Sequence, residues 1–326
     1  TPLISNSWGY RRKARLSVKY VAAKAKVLVG FRETNGRYVA NLNQCEVLDP
    51  SVGLKLTTLS DTFMQLSIKE HVPQIEVAVG DNHTALIIRH LQPFSKSDLD
   101  LLQVTAQQHN WHLYLQPKGP DTIHPLFPEQ PEKLSYDIAQ HNIKIEFHPQ
   151  QFTQVNQDIN LQMLNQALQL LDLQPEDRVI DLFCGIGNFT LPIARYAQKV
   201  IGVEADKSAV EQAKLNATNN DLSNTSFYYA DLFENEYNDN WCKTTFDKVL
   251  LDPPRAGAKE IIKQILIWKP KRIVYVSCNP ATLTRDAQLL TAGGYKLHSA
   301  GIMDMFAHTK HVESMALFIK DDGQCN

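Results

Sequence analysis

The sequence of 326 residues contains no apolar run near the length of about eighteen residues that a membrane-crossing helix needs. Its N-terminus lacks the ordered charged, apolar and small-residue regions of a secretory signal. A membrane partner is therefore not expected, and a cytoplasmic location is. The five cysteines, Cys45, Cys184, Cys242, Cys278 and Cys325, show no C-x-x-C spacing, which excludes a zinc knuckle and a disulfide framework and suits a reducing compartment. Internal repeats and low-complexity tracts are absent as well. One absence is local: between Thr1 and Arg32 there is no Asp or Glu, while eight Lys or Arg occur. The net charge of -2 for the whole chain conceals that imbalance.

What is present is an ordinary globular composition, 43% hydrophobic and 21% charged, in a chain long enough for two domains with separate cores. Within the acid-free stretch, residues 13–20 alternate charged with apolar or small side chains, the period of a strand with one basic face. Arg11, Arg12, Lys13 and Arg15 suit the phosphates of RNA, with Trp8, Tyr10 and Tyr20 available to stack on unpaired bases. A solvated edge strand explains the same pattern. Residues 74–79 and 84–89 read as a hairpin, and residues 97–110 as a helix with Ser97 as its cap. Residues 116–133 hold five prolines and read as a loop or linker. The chain accordingly divides into an α+β RNA-binding domain, residues 1–130, and a larger domain, residues 131–326. A helix is expected from Asn156, where Ile159, Met163, Ala167 and Leu170 recur at helical spacing.

From Arg178 onward strands and helices alternate, which predicts an α/β domain with a mostly parallel, doubly wound sheet. Strands are expected at 179–183, 200–204, 226–229, 248–251, 272–276 and 312–319. The first strand runs into Asp181-Leu182-Phe183-Cys184-Gly185-Ile186-Gly187-Asn188, whose two glycines allow a tight turn and close approach of a ligand. The third glycine of a dinucleotide fingerprint is missing, as is a Walker A lysine. Glu204 ends the second strand, where an acid can accept from both hydroxyls of a ribose, and Asp231 ends the third, where it can accept from an adenine amino group. Such a loop with two acids and no phosphate grip describes S-adenosylmethionine better than NAD. Two later strands stop abruptly, in Asp252-Pro253-Pro254-Arg255 and in Ser277-Cys278-Asn279-Pro280. Parallel sheets bind ligands at that edge, so Cys278 is either a nucleophile at a site mouth or a thiol that fills space.

With these residues in place the sequence resembles the RNA uracil-5 methyltransferases, most closely those acting on a uridine of large-subunit, 23S ribosomal RNA. The resemblance runs from Trp8-Gly9-Tyr10-Arg11-Arg12 to His311-Val312-Glu313-Ser314-Met315 and is strongest over residues 181–190, 250–257 and 275–286. It implies a class I, Rossmann-like methyltransferase domain behind the smaller RNA-binding domain, S-adenosyl-L-methionine as cofactor and 23S ribosomal RNA as partner; a monomer is expected. Carried onto this chain, it implies that Gln154, Phe183, Gly185, Asn188, Glu204, Asp231 and Asp252 line the cofactor site. It also makes Cys278 the nucleophile, Glu313 the base and Asp252 their neighbour in catalysis. Cys45 matches one of four cysteines that hold a [4Fe–4S] cluster in such enzymes. A cluster is therefore expected in a full-length protein that adds the other three and an oligonucleotide-binding barrel, and the present chain reads as a fragment or processed form.

The chemistry is consistent with those roles, because C5 of uracil is a poor nucleophile until a thiolate adds at C6, after which the C5 proton must leave. Where D-P-P enzymes that methylate amino groups carry an aromatic, this chain has Arg255; Phe152 is then either the stacking surface or a core residue. His308 and His311 read as structural. Two rivals stay open: a transfer-RNA uracil-5 methyltransferase, against which Cys45 speaks, and a catalytically silent RNA-binding fragment, against which Cys278, Asp252 and Glu313 speak.

Overall fold

Ala14, Leu16 and Val18 are buried while Arg15 and Lys19 are exposed, so the alternation of residues 13–20 is that of a half-buried strand, β1 (Lys13–Val21). The computed structural model describes residues 1–33, 36, 38–234, 237 and 239–321; Cys325 lies outside them. In one compact unit, Asn6–Tyr136 with Glu146–Gln157, β1 is joined by β2 (Lys26–Gly30), the helices α1 (Pro50–Gly53) and α2 (Leu56–Gln65), and the hairpin β3 (Gln74–Val79) and β4 (Thr84–Arg89). The hairpin is the one expected, with Val79 opposite Thr84. Helix α3 (Lys96–His109) is capped by Ser95 rather than Ser97. Ser95 Oγ accepts from Asp98 N at 3.2 Å and Ser95 N donates back to the Asp98 carboxylate at 3.0 Å, a reciprocal box that Ser97 cannot make.

Strand β5 (Trp111–Gln116) runs parallel to β4, and β6 (His124–Phe127) closes the sheet in the order β2-β1-β3-β4-β5-β6. Strand β6 falls inside the proline-rich stretch expected to be loop. It is an edge strand, the place where a sheet tolerates a residue without an N–H. Leu16, Phe63, Ile75, Leu86 and Trp111, all 2% exposed or less, centre this unit's core.

The short ladder of β7 (Leu134–Ile138) and β8 (Ile143–Phe147) precedes α4 (Gln157–Leu171), which buries Ile159, Met163, Leu164, Ala167 and Leu171 on one face. The second unit comprises Thr1–Ser5, Asp137–Ile145 and Asp158–Asn326. In it β9 (Arg178–Leu182), α5 (Thr190–Ala194), β10 (Lys199–Glu204), α6 (Lys207–Asn219), β11 (Thr225–Tyr229), β12 (Lys248–Leu251), α7 (Lys259–Trp268), β13 (Arg272–Ser277) and α8 (Pro280–Ala292) alternate as the sequence predicts. Two antiparallel strands follow, β14 (Tyr295–Met303) and β15 (Glu313–Lys320). The sheet order is β11-β10-β9-β12-β13-β15-β14, and β15 alone runs against the other strands. The doubly wound expectation is met, and β14 is the strand that it lacks. Among the described residues no helix is long and apolar enough to cross a membrane.

Strand order reverses between β9 and β12, and at such a point the flanking loops diverge and leave a crevice at the carboxyl edge. Because β15 is reversed, its first residue reaches that same edge.

Candidate active site

Six parallel strands end at the carboxyl edge, and the residues singled out in the sequence follow five of them, β9 to β13. After β9 the chain turns sharply: Phe183 adopts φ +67, Gly185 φ +53 and Gly187 φ +96. A phenylalanine in the left-handed region is strained. It is held there because Phe183 N and Cys184 N both donate to Val203 O, at 2.9 and 3.1 Å. A Cβ on Gly185 would meet nothing within 4 Å, which leaves the backbone open to a ligand. Glu204, at the end of β10, accepts from Gly185 N at 3.0 Å with one oxygen and from Ala205 N and Asp206 N with the other. Three backbone donors thus aim its carboxylate at the glycine turn. Asn188 exchanges two amide hydrogen bonds with Asn160 of α4, at 2.9 and 3.1 Å.

Asp231 accepts from Phe233 N at 2.9 Å, and the Phe233 ring lies 5.9 Å from that of Phe183. In the sequence Phe233 is marked only as an aromatic two residues after the strand-end acid, and Asp181 only as a residue of the first strand. This carboxylate is fully buried beneath the turn, with one oxygen accepting from Thr190 Oγ1 at 2.5 Å and the other without a hydrogen-bond partner. Burial, reinforced by the charges of Asp252 and Glu204, pushes Asp181 up to about 8.

Cys278 and Glu313 meet through sheet register. Ser277 pairs with Ser314 across β13 and β15, so the residue after one and the residue before the other emerge together at the sheet edge. Burial pushes the Glu313 carboxyl up to about 7, with Asp252 adding to the shift and Arg255 opposing it. Burial also raises the Cys278 thiol; Glu313 and Asp252 add to that, while a backbone hydrogen bond and Arg255 pull it down. Asp252 itself is raised to about 7 by burial. Arg255 is the cation that acts on both Cys278 and Glu313, and its guanidinium approaches the His311 ring nitrogens at 2.9 and 3.3 Å. The two histidines therefore differ: His311 touches Arg255, whereas His308 occupies an exposed turn at φ +64.

The remaining sequence candidates lie in the first unit. Lys13 donates to the carbonyls of Pro149 and Gln151, and burial lowers its ammonium to about 8. Arg12 pairs with Asp81, and Arg15 with Glu76 at 2.9 Å; Arg11 lies over the Phe31 ring at 5.6 Å. The strand's basic face is thus extensively engaged inside the protein, which its local sequence could not show because the partners lie 61 to 138 positions away. Phe152 is 71% exposed, which removes the core alternative, and Gln154 belongs to the same segment, Glu146–Gln157. Cys45 is a half-buried free thiol. Among the described residues no three His, Cys, Asp or Glu are grouped to hold a metal, so the residues present do not form a cluster site.

A family model described as tRNA (Uracil-5-)-methyltransferase matches residues 129–321. The chain is 53% identical over 321 residues to a protein of Francisella tularensis subsp. novicida named 23S rRNA (uracil(1939)-C(5))-methyltransferase RlmD, the match covering 97% of this chain and 71% of that one. A protein of the same name from Hahella chejuensis is 50% identical over 325 residues, with 98% and 73% covered. Among solved structures, a tRNA (uracil-54, C5)-methyltransferase of Pyrococcus abyssi in complex with S-adenosyl-L-homocysteine superposes with a TM-score of 0.75 at 21% identity, over 98% of this chain and 78% of its own. That likeness fixes the class I, Rossmann-like fold. Sequence and fold together show that this chain belongs to the RNA uracil-5 methyltransferase family.

Proposed function

We propose that the chain methylates C5 of a uridine in 23S ribosomal RNA, with S-adenosylmethionine supplying the methyl group. The observation that carries this reading is the convergence of Cys278, Glu313, Asp252 and Arg255 at one strand edge, beside an open glycine turn faced by Glu204. The residues fit that donor. The turn has room for a ligand at Gly185, Glu204 is oriented for the ribose, and Asp231 with Phe183 and Phe233 offers an acceptor and two rings for the adenine. A cluster of buried carboxyls favours a cationic donor over its neutral by-product.

In the proposed reaction the Cys278 thiolate adds to C6, and the electron pair displaced from the C5–C6 bond makes C5 nucleophilic. C5 then takes the methyl group. Glu313 in its ionised form removes the C5 proton, and the returning electron pair expels the thiolate from C6. Arg255 favours the charged forms of both Cys278 and Glu313, offsetting part of the cost of their burial. The names of the relatives near 50% identity favour ribosomal over transfer RNA and a cytoplasmic enzyme. A [4Fe–4S] cluster through Cys45 stays an expectation for a longer protein and enters no step here.

Cys278→Ala tests the reading. It should retain S-adenosylmethionine affinity, abolish methylation of a 23S transcript and form no covalent RNA adduct. Methylation at the wild-type rate would remove Cys278 as nucleophile, and methylation of transfer RNA alone would reassign the substrate.

A further inference from the structure

Residues 252–258, which follow β12, carry both Asp252 and Arg255 and contain no helix or strand. Their one internal backbone bond is a turn from Gly257 N to Pro254 O at 2.9 Å. Asp252 N donates to Leu182 O at 3.3 Å, and the loop beyond it is held by side chains from residues after Cys278. Asn279, which caps α8, donates its side-chain amide to Arg255 O at 3.1 Å. Arg285 donates to Ala256 O at 2.9 Å. Asp286 accepts from Ala258 N at 2.7 Å. Three loop positions are therefore tied by side chains of a single element.

Asp286 is the centre of this clamp. It has no exposed surface, and its two oxygens also receive the Tyr275 hydroxyl at 2.7 Å and the Arg285 guanidinium at 2.7 and 2.8 Å. The loop has been shaped to fit it: Gly257 takes φ +81, and a Cβ there would lie 2.5 Å from Arg285 Nη2 and 2.6 Å from Asp286 Oδ2. An ion pair with one fully buried partner is a weak source of stability, because desolvation cancels much of its attraction. What this one provides is geometry, since charge-assisted bonds are short and directional.

We propose that Arg285 and Asp286 are positioning residues for the methyl transfer, locking residues 255–258 onto α8 so that Arg255 and Asp252 hold a fixed relation to Cys278 and Glu313. The inference rests on the reading of Cys278 as nucleophile. Without the clamp the loop drifts, and displacing a reacting group by about 1 Å can cost about a hundredfold in rate. The groups that act on Glu313 in this arrangement are Asp252, Arg255 and Cys278, and Arg255 also contacts His311.

The test uses the chain with S-adenosylmethionine and a 23S transcript made with 5-fluorouridine. Fluorine in place of the C5 hydrogen cannot be taken by a base, so the methylated C6 adduct persists and its formation can be timed on a denaturing gel. Asp286→Asn and Arg285→Met should each slow adduct formation by about tenfold or more. In turnover on unmodified RNA they should lower kcat while KM for RNA stays unchanged. Affinity for S-adenosylmethionine within about threefold of wild type would show that the unit is folded. If Asp286→Asn does not fold, Arg285→Met decides, because the Arg285 side chain is 40% exposed and its loss leaves no hole in the core. A wild-type adduct rate in a folded Arg285→Met variant overturns the inference, as does a loss confined to KM, which would make Arg285 an RNA contact. Adduct formation by Cys278→Ala would instead overturn the nucleophile itself.

Discussion

Replacing Glu313 with Gln should make the protein more stable and less active, and the two effects share one cause. The Glu313 carboxyl rises from 4.5 to about 7 on folding because burial, with Asp252, disfavours its charge. A shift of about 2.5 units corresponds to about 3 kcal/mol. The sign follows from the direction. The folded state prefers the protonated form, so its full stability is present below pH 4.5 and is lost as the pH climbs through about 7. Gln cannot ionise and escapes that loss. Thermal melts of wild type and Glu313→Gln should coincide near pH 4 and separate above pH 7, the variant melting higher by about 4 °C for a chain of this size. In the same variant nothing removes the C5 proton, so the methylated Cys278 adduct should accumulate on unmodified RNA, while wild-type turnover rises with pH toward about 7 as Glu313 ionises. Equal melting shifts at pH 4 and pH 8.5, or a variant less stable at pH 8.5, would falsify the account of Glu313 as a carboxylate held at the expense of stability.

Glu204→Ala should weaken S-adenosylmethionine binding by about ten- to a hundred-and-fifty-fold, the value of one charge-assisted hydrogen bond of about 1.5–3 kcal/mol, and calorimetry giving an undiminished affinity would remove the ribose contact. For RNA, Lys13→Met should leave the slope of log affinity against log salt unchanged, because the Lys13 ammonium is already spent on the Pro149 and Gln151 carbonyls. Replacing the exposed Lys19 and Lys24 together with Ser should make that slope shallower by up to about 1.5 units if both reach phosphates.

The strand ends of the methyltransferase unit were legible because the buried parallel strands are mostly apolar runs and two of them stop at residues with a mechanical reason to be there. Asn279 caps a helix that begins with Pro280, and Pro253-Pro254 permits no continuation of β12. Strand β14 was illegible for the opposite reason: residues 296–302 are exposed on both faces, so no hydrophobic period marks them. In the site, Cys278 and Glu204 could be singled out from their places at strand ends, and Glu313 through the family resemblance alone. Asp181 could not, because its importance is a burial that only the assembled sheet creates, and the Arg285–Asp286 clamp could not, because its targets are backbone atoms 28 and 29 positions away. The partners of the basic face of β1 were hidden in the same way, being the distant Asp81, Glu76 and the carbonyls of residues 149 and 151.

The pairing of Leu3 has a consequence for the order of events during synthesis. Leu3 N donates to Ile302 O at 3.0 Å and Asp304 N donates to Leu3 O at 2.9 Å, so the first residues of this chain complete the edge beyond β14. Leu3 and its partner Met303 are 300 positions apart in the chain. At about 5–20 residues per second the ribosome takes about 15–60 s to deliver that partner. Through that interval Asn6–Tyr136 can fold once Glu146–Gln157 has emerged, while Leu3 waits for its partner. A chaperone that holds nascent chains would find a target in the segment around Leu3 until Met303 arrives.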